Sequence, residues 1–207
     1  MTKEHLADIL KIAREYQQNF KPLLETIKVR NNNKYPLNCL NEIRAINDHI
    51  ARCYRDDITD NEIIKNIGKA EGHLQRLGYD CFKQLITYQV ADIKYTVKRY
   101  YSSRWLYIGK GELWNSYLTN FKEGYNNEKR AKEKESINST EAFEYYEKAF
   151  NSYHDVSVTF QKYRSQISRS YYIGKFERMA RGMEWFIMMI ILAVLSSLLT
   201  LLLDRYF

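Results

Sequence analysis

The chain has 207 residues, 45% of them hydrophobic, with only two prolines and eight glycines, enough apolar material for a packed core and too few breakers for a loop-rich fold. A formal net charge of +7 falls on the residues before the last apolar stretch, because Asp204 and Arg205 cancel. Cys39, Cys53 and Cys81 form no CxxC pair, which argues against a disulfide or zinc framework and for reduced, packed thiols.

In chain order the apolar spacing is helical nearly throughout, so an all-α fold is expected, an elongated helical bundle with one C-terminal transmembrane helix. Residues 1–16, MTKEHLADILKIAREY, lack the apolar h-region and cleavage site of a secretory signal, and a cytoplasmic body follows as the expectation. A first helix over Lys3 to Val29 carries Leu6, Ile9, Ala13, Tyr16, Phe20, Leu23 and Ile27, with Pro22 kinking or splitting it. A second, Leu37 to Arg55, shows Leu40, Ile43, Asn47, Ile50 and Tyr54, a heptad with one amide on its seam. A third starts near Thr59 or Asp60, with no proline before Lys110, either a single rod of nearly fifty residues or one bent after Tyr88, where the apolar face drifts. Gly109 and Gly111 bracket a turn before a fourth helix through Leu113, Tyr117 and Phe121.

Asn126 to Ser136 is charged and mixed in sign, an exposed connection or solvated helix end. Asn138 and Glu141 resemble a capping box for a helix striped with Phe143, Tyr146, Phe150, Tyr153 and Val156, so Asn138-Ser139-Thr140 reads as a helix start and not as a glycosylation acceptor. From Phe160 the helix is expected to run on into Trp185 to Leu203, nineteen residues without a charge, with flexure at Gly174 and Gly182. The domains expected are thus a helical body over 1–184, a span over 185–203 and a tail over 204–207. Between Gln161 and Glu184, six bases face two acids, which marks the cytoplasmic side of a single-pass span in the inner membrane and attracts anionic lipid.

Three groups of residues carry candidate chemistry. The first is Arg44-Ala45-Ile46-Asn47-Asp48-His49 on the second helix. It resembles the signature of HEPN proteins, an arginine followed four to six residues later by a histidine in an all-α bundle. The resemblance implies a metal-independent ribonuclease assembled at a dimer seam. In it His49 would be the acid/base and Arg44 the phosphate clamp, with Asn47 and Asp48 orienting them; imidazole and guanidinium suit those roles. The plainer reading is an ion pair between Arg44 and Asp48 with His49 packed. Glu71, His73, Arg76 and Asp80 on the third helix could face this group, with Glu71 neutralising Arg44.

The second group lies in Ile93 to Lys110, with five bases, no acid and five aromatic residues. Lys94, Lys98, Arg99, Arg104, Tyr100 and Trp105 suit single-stranded nucleic acid, an anionic membrane surface, or rings packed inward with cations in water. In the third, Ala193, Ser196, Ser197 and Thr200 share one face of the span, for helix association or pore lining, or for hydroxyls bonded back to their own helix. No histidine spacing suggests a metal, and no cofactor is implied.

A basic, anchored bundle with this signature looks like the membrane accessory proteins of bacterial antiphage systems, including the small HEPN-like proteins beside type VI CRISPR loci. The function that layout implies is an effector that homo-oligomerises and perturbs or perforates the membrane, with RNA or an RNA-guided effector protein as a partner. A membrane-tethered HEPN-type ribonuclease and a tethering adaptor for another protein are the alternatives.

Overall fold

The computed structural model describes residues 1–206, with side chains through Ser197, and among these residues no strand occurs. The chain is all-α and divides into two units, residues 1–95 with 115–159 and residues 96–114 with 160 onward. The expected body of residues 1–184 is spread over both, and the expected span lies in the second.

In the first unit, α1 is Lys3–Glu15. Thr2 caps it: its hydroxyl accepts from the His5 main-chain N–H at 3.3 Å, and its own N–H donates to His5 Nδ1 at 3.4 Å. The first expected helix does split, into a π turn over Tyr16–Phe20 and α2 over Lys21–Arg30. Pro22 has no N–H for the carbonyl four residues back, and the Lys21 N–H bonds Tyr16 O, five residues back. Asn32 and Asn33, with φ of 52° and 60°, then turn the chain in a conformation that asparagine tolerates.

Helix α3 is Leu37–Arg52 and α4 is Asp60–Tyr100. Thr59 begins α4, its hydroxyl accepting from the Glu62 N–H while the Glu62 carboxylate accepts from the Thr59 N–H at 2.9 Å. Helix α4 ends ten residues short of Lys110, because Ser102 starts a 3-10 segment, Ser103–Gly111. Helix α5, Glu112–Lys134, carries most of the charged run as a solvated helix end, with Asn127 and Ala131 buried on its inner side. Helix α6, Ser139–Lys162, is capped by Asn138, whose side-chain oxygen accepts from the Glu141 N–H at 3.2 Å.

The core of this unit joins Ile9, Ile12, Phe20, Leu24 and Ile27 to Cys39, Ile46 and Cys53 of α3 and to Ile63, Ile67, Leu74, Leu77, Cys81 and Leu85 of α4. Cys39, Ile46 and Cys53 are buried here, with Ile43 and Ile50 packed against the core as expected, so only the row of Leu40, Asn47 and Tyr54 is one residue out of phase. Leu40, Asn47 and Tyr54 are exposed, so no amide lies on the seam. Phe143 and Phe150 of α6 close the core against Phe20 and Phe82. Gly78 permits this: a Cβ there would sit 2.6 Å from the Phe143 ring and 2.7 Å from that of Phe20.

In the second unit, Trp105 is 0% exposed and packs edge-on against Phe160 and Tyr101. Gly109, φ +59°, leaves room for the Tyr163 ring, whose hydroxyl donates to Glu112 at 2.6 Å. Helix α7, Arg164–Tyr206, begins after a break at Tyr163 and runs without interruption through Gly174 and Gly182. Ile167 and Ser170 are buried; from Phe176 to Leu195 the large apolar side chains are exposed. Over Arg164–Ser197 this helix is long and apolar enough to cross a membrane, and none of its apolar window is covered by the rest of the chain.

Candidate functional site

On the face between α3 and α4, Arg44 and His49 of one chain do not point the same way. Five residues apart on a helix they diverge by about 140°. Arg44 is exposed and forms no ion pair among the described residues, with Glu71 or any other acid, whereas His49 is half-buried. Asp48 bonds Arg52 at 2.7 Å and not Arg44, and Asn47 points to solvent.

What meets His49 is His73 of α4, its ring stacked at 5.3 Å between centroids. His49 Nδ1 lies 3.1 Å from Asn66 Oδ1, and His73 Nδ1 lies 2.7 Å from Glu42 Oε2. Asn66 spends its amide N–H on Glu62 O at 2.9 Å, which fixes its oxygen toward His49. Both Nδ1 atoms are thus hydrogen-bond donors, and in a neutral ring Nε2 is the proton-accepting atom. Of the second expected cluster, His73 faces α3; Arg76 is exposed, and burial pushes the half-buried Asp80 carboxyl up. Asn66 also lines a cleft of about 240 Å³ with Arg52, Arg55, Lys65 and Lys69. The Cys81 thiol is pushed up by its bond to Cys39 and by burial. Among the described residues no group of histidine, cysteine or carboxylate side chains could hold a metal ion.

The basic aromatic stretch divides between the units, residues 93–95 in the first and 96–110 in the second. Lys94, Lys98 and Arg99 are exposed, and Tyr100 is half-buried, edge-on to Tyr171. Arg104 pairs with Glu177 of α7. Trp105 cannot stack on a base or lie at a headgroup, because its ring is wholly enclosed; the inward-packed reading holds for it. On α7, Ser197 donates back to Ala193 O at 2.9 Å, while Ser196 is also exposed and Thr200 lies outside the described side chains.

Sequence inspection missed a further stripe. Tyr172, Phe176, Met179 and Met183, 63%, 71%, 59% and 62% exposed, follow one another at spacings of four, three and four residues before the span. The same alternation continues through Phe186, Ile190, Ala193 and Ser197, so the small-residue face is the distal part of one heptad seam. The sequence signal was this period across Trp185, which treating the span as a separate object hides.

No family model, no curated protein and no solved structure matches the chain. The functional reading therefore rests on the residues themselves.

Proposed function

We propose that this is a membrane-anchored helical effector whose copies associate in the plane of the bilayer through α7 and so perturb or perforate the membrane. The observation that carries the reading is the α7 seam. An exposed apolar stripe on a helix that leaves the membrane needs cover, and a second copy, held at the same depth by its own anchor, brings an identical stripe in register. In that parallel arrangement the flanking heptad positions are Ile173, Lys175, Ala180, Gly182 and Ile187, so a single charge borders the seam and like charges do not oppose one another. The basic residues before Trp185 support a body on the cytoplasmic side of the inner membrane. The resemblance of layout to antiphage accessory proteins supports a defence setting.

Cysteine cross-linking in isolated membranes tests this, since the three native cysteines are buried. Met183→Cys should give oxidised dimers or higher species, and Arg181→Cys, on the opposite face, should not. Equal cross-linking at both sites, or a monomeric particle mass in detergent, contradicts self-association and leaves the tethering adaptor.

A second reading, the metal-independent ribonuclease, has the orientation of His49 in its favour: Asn66 holds Nδ1 as a donor and leaves Nε2 as a base. Arg44 would have to reach it from a second copy. RNA cleavage that persists in EDTA and is lost in His49→Ala would establish this reading; its absence from the purified dimer would end it.

A further inference from the structure

We infer that the second unit carries a binding site for the phosphodiester headgroup of an anionic phospholipid, in the cleft between the 3-10 segment and α7. The inference rests on the membrane reading above and deepens it. The cleft has a volume of about 320 Å³. Ser102, Ser103 and Arg104 line it from one side, and Tyr171, Arg178 and Arg181 from α7. Three arginines thus face one acid, Glu177, which is already committed to Arg104.

The geometry of the other two arginines is that of an anion site. Arg178 donates through Nε to Gly174 O at 3.2 Å and Arg181 through Nε to Glu177 O at 3.4 Å, which ties both guanidinium groups against the helix. Neither pairs with a carboxylate among the described residues, so their terminal nitrogens remain for a ligand. The two non-bridging oxygens of a phosphodiester, which share one negative charge, match such a fork, and serine hydroxyls add donors.

Position along α7 selects the source of the phosphate. Arg181 precedes Trp185 by four residues and Arg178 by seven, about 6 Å and 10 Å of helix. A headgroup layer is about 5–8 Å deep on each side of the hydrocarbon. With Trp185 at the interface, Arg181 lies within that layer and Arg178 just outside it, so the cleft borders the membrane surface, where a basic pocket attracts an anionic lipid. The a and d positions of the seam lie on other faces of α7, so the site and self-association do not compete.

The test is native mass spectrometry of the full chain in detergent, incubated with equal amounts of phosphatidylglycerol and phosphatidylcholine. The wild type should retain phosphatidylglycerol with about tenfold preference, and the double variant R178Q/R181Q should retain both lipids equally. The double variant K65Q/K69Q, which removes the same charge elsewhere, should keep the preference. Equal loss in both double variants would show a diffuse charge effect and overturn the site. Inorganic phosphate at millimolar concentration should not displace the lipid; if it does, the ligand is a soluble phosphate and the lipid assignment falls. A wild-type chain that fractionates with membranes yet shows no lipid preference overturns the headgroup site alone, whereas one recovered in the soluble fraction overturns the anchor as well.

Discussion

Gly78 is the residue on which the joint between α4 and α6 turns. Its missing side chain lets the rings of Phe20 and Phe143 meet over α4, edge-on at 6.1 Å. Gly78→Ala introduces a methyl group within 3 Å of both, and overpacking of this kind costs about 1–3 kcal/mol against a smaller gain in helix propensity. Thermal unfolding of the detergent-solubilised chain should show Gly78→Ala lowered relative to Gly72→Ala, where a Cβ meets nothing within 4 Å. Equal midpoints would mean that the aromatic joint does not form. The period of α4 puts Gly78 and not Gly72 on the stripe of Leu74, Cys81 and Leu85, but the close approach itself comes from rings 58 and 65 residues away and has no local signal. The His49 and His73 stack is of the same kind: a sequence shows two histidines on two helices, and only the phase of α3 against α4 brings the rings together.

Among the helices, ends were more legible than faces. Thr59, Asn138 and Pro22 act where local chemistry predicts, because a cap or a missing N–H depends on neighbours within four residues. On α3, Ile43 and Ile50 pack as their spacing predicts, but Cys39 and Cys53 are buried in place of Leu40 and Tyr54, because the smaller thiols fit the close packing against α4. Bonds to carboxylates, local and long-range, set an acid limit on stability. Thr59 holds the Glu62 carboxyl below its ordinary 4.5, Lys162 and then Tyr163 do so for Glu112, and Lys134 does so for Glu141. Burial of Glu135 acts the other way, but Lys83 and Tyr146 together hold it down too. A carboxyl depressed in the folded state contributes stability that is complete above the unfolded value and is lost as pH falls through the folded one. The melting temperature should therefore be level down to about pH 5 and fall steadily below about 4.5, with a shallower fall in Glu62→Gln. A melting temperature that holds or rises on acidification would contradict these assignments.

At the scale of the whole molecule, the fold class and the long apolar helix were written in composition and period, which survive any error of register. The division into two units was not, because it depends on which parts of α4, α5 and α6 pack together. Nor was the continuity of the α7 stripe from Tyr172 into the apolar stretch, on which the proposed association rests. Both the effector reading and the headgroup site stand on α7 crossing the bilayer. Alkaline carbonate extraction of membranes from cells expressing the full chain is the most direct measurement of that. The chain should remain in the pellet with integral proteins, and a variant carrying Ile190→Asp and Val194→Asp should move to the supernatant. Release of the wild-type chain into the supernatant would contradict the account.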